Sequence, residues 1–197
     1  MKTVFIIPGL GETEENNPVY QKIARYFKEK KIRPFIVPIH WQYRTMSDYV
    51  IEFTGFYNKY KTEESIFLGF SFGAFIAFLA AIELKPKAII LCSLSPYFKE
   101  DINGTIDAVR QDRIDRFIGK RRIKDFKQYS FGNLAEKINS KTYILYGGKE
   151  LSVCQKRAID AGKKIKNSQL IKINNTEHNI RQEGYQKELQ EMISKEF

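Results

Sequence analysis

Six short apolar runs, separated by stretches of helical periodicity, constrain the fold of this chain more than any other feature. The runs are Thr3–Ile7, Arg33–Pro38, Ser65–Leu68, Lys87–Ser93, Lys141–Tyr146 and Gln169–Ile173. Helices are expected at Val19–Lys30, Ser47–Tyr60 (with Ser47 as N-cap), Ala74–Leu84, Val153–Lys164 and Arg181–Lys195. Strands joined through helices pair in parallel, and a parallel sheet buries both of its faces. The expected class is therefore α/β, a three-layer αβα sandwich with a mainly parallel six-stranded sheet. At 197 residues a single domain, 1–197, with a full-sized core is expected.

One connection breaks the rhythm. Residues 94–140 separate the fourth strand from the fifth, too long a stretch to lack structure of its own. The apolar positions Ile106, Val109, Ile114, Phe117 and Ile118 suggest short helices, hence a small helical cap. It would emerge at the carboxyl ends of the strands, where open α/β sheets bind ligands. The same segment is basic. Arg110, Arg113 and Arg116 recur every third residue, and Lys120, Arg121, Arg122, Lys124 and Lys127 follow, in a chain of formal charge +10. Such a run is either an anion-attracting surface or a solvated helix partly offset by Asp112, Asp115 and Asp125. No nucleic-acid motif accompanies it, so nucleic acid is not an expected partner.

With 43% apolar and 28% charged residues the composition is that of a soluble globular protein. No apolar run reaches the roughly 18 residues that span a bilayer. The apolar start is too short for a signal peptide and meets Pro8-Gly9-Leu10-Gly11 without a cleavage site. Two cysteines, Cys92 in an apolar run and Cys154 in a polar helix, make no disulfide framework. A cytoplasmic location is expected, with no cofactor and no metal.

The third strand runs into Gly69-Phe70-Ser71-Phe72-Gly73, and the apolar stretch from Ala74 to Leu84 follows. A G-x-S-x-G at a strand-to-helix junction fits a nucleophile elbow, which lifts a serine hydroxyl above the sheet end. The helix N-terminus aims free N–H groups at the same point. A serine hydroxyl needs a base, and the chain has two histidines. His178 follows the last strand at the carboxyl end of the sheet. His40 ends the second strand beside Trp41 and reads as structural or as part of a pocket wall. An acid must orient the imidazole. Glu150, just past the fifth strand, is the candidate, although it also reads as a surface carboxylate paired with Lys149. Glu177 adjoins His178 too closely for a productive bond, and Asp160 lies well into a helix. The backbone N–H groups of Leu10 and Phe72 are the natural oxyanion donors. Trp41, Phe70 and Tyr97, with Phe72 and Phe75, read equally as walls of an apolar acyl pocket or as core aromatics.

These four segments together, Pro8–Gly11, Gly69–Gly73, Gly147–Glu150 and Glu177-His178, resemble those of the α/β-hydrolase superfamily across nearly the whole chain. The chain looks like a small member lacking the first two strands of the larger enzymes. The resemblance implies a sheet order of 2-1-3-4-5-6 and a Ser71–Glu150–His178 triad. Two departures are visible: Pro8 stands where many relatives have histidine, and the acid is Glu where Asp is commoner. The implied activity is hydrolysis of small or medium carboxylic esters through an acyl-enzyme. The serine speaks against the dehalogenase and epoxide-hydrolase branches, which attack with aspartate. Two alternatives stand beside it: a thioesterase acting on acyl-CoA or a carrier protein, and a non-catalytic binding protein of the same fold.

Overall fold

The computed structural model describes residues 1–111 and 119–197. Asp112, Arg113, Ile114, Asp115, Arg116, Phe117 and Ile118, expected within the cap, lie outside the described residues. Six strands form one sheet: β1 (Lys2–Ile7), β2 (Arg33–Ile36), β3 (Glu64–Phe70), β4 (Ala88–Cys92), β5 (Lys141–Gly147) and β6 (Ser168–Ile173). Their order is β2-β1-β3-β4-β5-β6, and every neighbouring pair is parallel. The helices are α1 (Val19–Glu29), α2 (Met46–Tyr60), α3 (Phe72–Leu84), α4 (Ile102–Gln111), α5 (Lys120–Phe126), α6 (Phe131–Ala135), α7 (Ser152–Lys164) and α8 (Glu183–Glu196).

Alternation along the strands sorts the core into two layers, because successive side chains of a strand leave opposite faces. Phe5, Ile7, Phe67, Ile89, Leu91, Ile144 and Tyr146 pack with residues of α2, α3, α6 and α7. Val4, Ile6, Ile66, Leu68, Ile90, Tyr143 and Leu145 pack with α1 and α8. Helix α3 is buried on all sides from Phe72 to Ala81, which accounts for its unbroken apolar sequence. Among the described residues no helix is long and apolar enough to cross a membrane.

Two sequence expectations need correction, and the burial of one cysteine is added to them. Helix α2 is capped by Thr45, not Ser47. A capping box needs an acceptor side chain three residues after the cap, and Thr45 has Asp48 whereas Ser47 has Val50. The Ser47 hydroxyl instead donates to Asp125 and lies 2.7 Å from the Tyr129 hydroxyl, tying α2 to the long connection. Strand β2 stops at Ile36, short of Pro38, which has no N–H to donate. Cys154 is buried, because the inner face of α7 carries Cys154, Arg157, Ala158 and Ala161.

The connection between β4 and β5 carries α4, α5 and α6. An ion pair anchors it. Arg157 is almost wholly buried and makes a two-pronged bond to Asp101 (2.7 and 2.8 Å) and another to Asp160 at 2.9 Å. Its guanidinium also lies 3.9 Å from the centre of the Phe131 ring. Charge pairing and the aromatic face together satisfy a cation taken out of water.

Candidate active site

The turn between β3 and α3 is built by two glycines. A Cβ on Gly69 would come within 2.1 Å of the Gly73 carbonyl oxygen, and one on Gly73 within 2.1 Å of the Ile7 carbonyl oxygen. Neither space admits a side chain. Between them Ser71 sits at φ 55°, ψ −116°, a conformation that L-residues rarely adopt. Its N–H donates to the Cys92 carbonyl at 2.9 Å, so the turn is pinned to β4. The strained residue presents its hydroxyl beyond the carboxyl end of the sheet.

Two other strand ends deliver partners. Ser71 Oγ lies 2.9 Å from His178 Nε2, and His178 Nδ1 lies 3.1 Å from Glu150 Oε2. The loop after β5 and the loop after β6 are laced together: Gly148 N–H donates to Ile173 O and Lys149 N–H to Thr176 O, both at 2.8 Å. This holds Glu150 and His178 in register although 28 residues separate them. Phe70, the residue before the serine, packs its ring 5.1 Å from the imidazole. Tyr185 of α8 packs edge-on to Phe70 at 6.1 Å.

Glu150 is no surface carboxylate; its side chain is 0% exposed, against 34% for His178. Its Oε1 accepts from the Ser93 hydroxyl and the Gly147 N–H, each at 2.6 Å. Ser93 Oγ is in turn 2.9 Å from the Tyr185 hydroxyl, which donates to Leu145 O at 3.2 Å. Ser93 also adopts a positive φ of 50° at the end of β4. The carboxylate is thus held by donors on one oxygen and faces the imidazole with the other. Burial pulls the His178 pKa down, but Cys154 and Glu150 outweigh it and hold the imidazole well above its ordinary value.

Sequence reasoning missed three groups here. Ser93 and Tyr185 support the carboxylate, and Ser95 Oγ lies 3.2 Å from Ser71 Oγ. Only the Ser93-Leu94-Ser95 run after β4 hinted at hydroxyls near the sheet end. Cys154 is the fourth neighbour. Its thiol, the Glu150 carboxylate and a His178 nitrogen all lie within 4.8 Å of one another. Among the described residues these three form the one group with donor types and spacing suited to a metal ion.

The loop after β1 lies beside the start of α3, since a Gly73 Cβ would also meet Pro8 O at 2.4 Å. Glu12 folds it. Gly9 N–H donates to the Tyr20 hydroxyl at 2.9 Å and to Glu12 at 3.1 Å, and the Tyr20 hydroxyl donates to the same carboxylate. Leu10 follows this clasp. Trp41 donates its indole N–H to Glu12 O at 2.9 Å and joins Leu10 in lining a cavity of about 1000 Å³. Phe70 and Tyr97 are buried and are not among the described residues lining that cavity; Tyr97 stacks with Phe126 and meets Phe72 edge-on instead. Phe75 stacks with Phe126 and packs at a tilt against Phe98 in the core. His40 is exposed and pairs with Glu52, away from Ser71's partners.

No family model matches the chain, and no curated protein matches it in sequence. Solved structures do match. Est1E from Butyrivibrio proteoclasticus superposes with a TM-score of 0.79 at 14% identity, over 98% of this chain and 87% of that one. Alpha/beta hydrolase domain-containing protein 10 from mouse gives 0.78 at 14% identity, over 98% and 88%. MGS-MChE2, an alpha/beta hydrolase enzyme from a lagoon-sediment metagenome, gives 0.75 at 18%, over 98% and 89%. At these identities the likeness is one of architecture. The chain has the α/β-hydrolase fold.

Proposed function

We propose that this protein is a serine hydrolase that cleaves carboxylic esters through an acyl-enzyme. One observation carries the reading: the unbroken series Ser71 Oγ, His178 Nε2, His178 Nδ1 and Glu150 Oε2, with steps of 2.9 and 3.1 Å, set on a strained elbow. Nucleophile, base and orienting acid are the three roles acyl transfer needs, and these distances are within hydrogen-bond reach.

In the proposed mechanism His178 Nε2 takes the Ser71 proton as Oγ attacks the ester carbonyl. The backbone N–H groups of Leu10 and Phe72 hold the developing oxyanion, helped by the N-terminus of α3. His178 then gives its proton to the leaving alkoxide. Water, deprotonated by the same nitrogen, attacks the acyl-enzyme and releases the acid. Glu150 keeps the proton on Nδ1 and balances the imidazolium. In this reading the described part of the 94–140 connection, with α4, α5 and α6, serves as the cap. Trp41 walls the cavity, Phe70 backs the imidazole and Tyr97 backs Phe72.

Hydrolysis of para-nitrophenyl esters of increasing acyl length tests this. Wild-type protein should turn over the shorter members, and Ser71→Ala should lower kcat/KM by about 10³-fold or more. A folded Ser71→Ala protein with wild-type turnover would overturn the proposal.

A further inference from the structure

Three side chains at the site offer a metal ion a sulfur, an imidazole nitrogen and a carboxylate oxygen. Their ligating atoms, from Cys154, His178 and Glu150, all lie within 4.8 Å of one another. In a tetrahedral zinc site with bonds of about 2.0–2.3 Å, neighbouring ligand atoms sit roughly 3–4 Å apart. His178 Nδ1 and Glu150 Oε2 already stand 3.1 Å apart, so small shifts close the set. The lone pairs are placed to suit. Glu150 Oε1 accepts from Ser93 and Gly147, which leaves Oε2 for the ion. His178 Nε2 faces Ser71, which leaves Nδ1.

The scaffold holds these groups together by its own bonds. Glu150 lies in the loop after β5, and Cys154 sits in the first turn of α7. Cys154 N–H donates to Leu151 O at 2.9 Å and closes that turn. The bonds from Gly148 and Lys149 to Ile173 and Thr176 bring the His178 loop against both. Charge balances as well. A divalent ion with one thiolate, one carboxylate and a neutral imidazole carries no net charge, which suits a place where the Glu150 side chain is 0% exposed. The donor set selects the ion. Sulfur and nitrogen suit zinc and cobalt, whereas magnesium and calcium take oxygen ligands. Glu150 and Cys154 are buried, so the approach runs past His178, whose side chain is 34% exposed.

We propose that Glu150, Cys154 and His178 form a binding site for a zinc-type ion, and that the bound ion switches the hydrolase off. The site rests on this geometry alone, and the inhibition rests on the serine-hydrolase reading. On binding, the thiol proton leaves to water and the ion takes the Nδ1 lone pair. The imidazole proton moves to Nε2, which then faces Ser71 as a donor and cannot act as its base. The test begins with wild-type protein freed of metal by a chelator and titrated with Co²⁺. A thiolate-to-cobalt charge-transfer band should appear in the near ultraviolet, and Zn²⁺ should displace it. Cys154→Ser should abolish the band, with Cys154→Ala as a second variant should circular dichroism show the first to be unfolded. Zn²⁺, and neither Mg²⁺ nor Ca²⁺, should inhibit hydrolysis of para-nitrophenyl acetate, and the chelator should restore it. Removing a partner of a ligand already costs a metal site about 10–100-fold in affinity. Loss of Cys154 itself should therefore raise the half-inhibiting Zn²⁺ concentration about tenfold or more, each protein being scored against its own metal-free rate. Three results would overturn the inference and leave the hydrolase reading intact: no cobalt band in the wild type, a band that survives loss of Cys154 and so belongs to Cys92, or Zn²⁺ inhibition unmoved by that loss. A Cys154-dependent band in metal-free-treated protein that hydrolyses no ester would overturn the hydrolase reading and the inhibition, and leave the metal site.

Discussion

Replacing Glu150 with Gln isolates what the carboxylate does, because the geometry dictates how the amide must sit. Two donors, the Ser93 hydroxyl and the Gly147 N–H, converge on Oε1 at 2.6 Å each. The amide oxygen must take that place, since an NH₂ group there would face two donors in a side chain with no exposure. The NH₂ group is then forced toward His178 Nδ1, where Oε2 now stands at 3.1 Å. An amide donor facing Nδ1 makes that nitrogen the acceptor and moves the imidazole proton to Nε2. Nε2 faces Ser71 Oγ at 2.9 Å and can no longer take the serine proton. Loss of the correct tautomer in a serine triad lowers kcat by about 10⁴-fold. This corresponds to about 5.5 kcal/mol of barrier. Steady-state hydrolysis of a para-nitrophenyl ester by folded Glu150→Gln protein should therefore fall by about three to four orders of magnitude. The change is nearly isosteric, so the circular dichroism spectrum should match the wild type. Folded protein that retains kcat/KM within a few-fold of wild type would refute both the tautomer argument and the role given to Glu150.

Gly73→Ala would drive a Cβ into the Ile7 carbonyl oxygen at 2.1 Å. Backbone overpacking of this kind should cost about 3 kcal/mol or more. Thermal unfolding should show Tm lowered by about 6–12 °C, and an unchanged Tm would contradict the close approach. Asp101→Ala leaves the buried Arg157 with Asp160 alone and should cost about 2 kcal/mol in urea unfolding. Intact urea stability would count against the buried pair as an anchor of the connection. The pH profile has a fixed sign. His178 acts as base only when neutral, and its partners Cys154 and Glu150 favour the protonated form over the effect of burial. The rise of kcat/KM with pH should thus have its midpoint above the ordinary imidazole value of about 6.5. Cys154→Ala removes one raising partner and should move the midpoint to lower pH; a midpoint unmoved by this change would contradict the role of the thiol.

The sheet was legible because its signal is local. Each strand is a short apolar run, and burial on both faces needs no knowledge of its neighbours, so the six strands and the long break before Lys141 are visible in the chain itself. The order β2-β1-β3-β4-β5-β6 came from the family resemblance, since no local pattern states which strands pair. Ser71 stood out because the elbow's steric demand writes two glycines around it. His178 stood out because histidines are few. The support around Glu150 was not legible, because Ser93 lies 57 residues from it and Tyr185 acts through Ser93, 92 residues from that serine. Cys154 was read as part of a polar helix because lysines and an aspartate surround it in sequence, while only its own face of α7 turns inward. The tie from α5 to the loop before α2 was equally hidden: in a run of basic residues nothing marks Arg122 as the one that donates to the Trp41 and Arg44 carbonyls.

Reaction with a serine-directed fluorophosphonate, followed by intact mass measurement and peptide mapping, probes the proposed nucleophile most directly. If Ser71 is activated by His178, folded wild-type protein gains one adduct per chain and the adduct maps to Ser71. Ser71→Ala should gain none, and His178→Ala should label far more slowly. Folded wild-type protein that does not label, or Ser71→Ala protein that labels as the wild type does, would contradict the proposal at its centre.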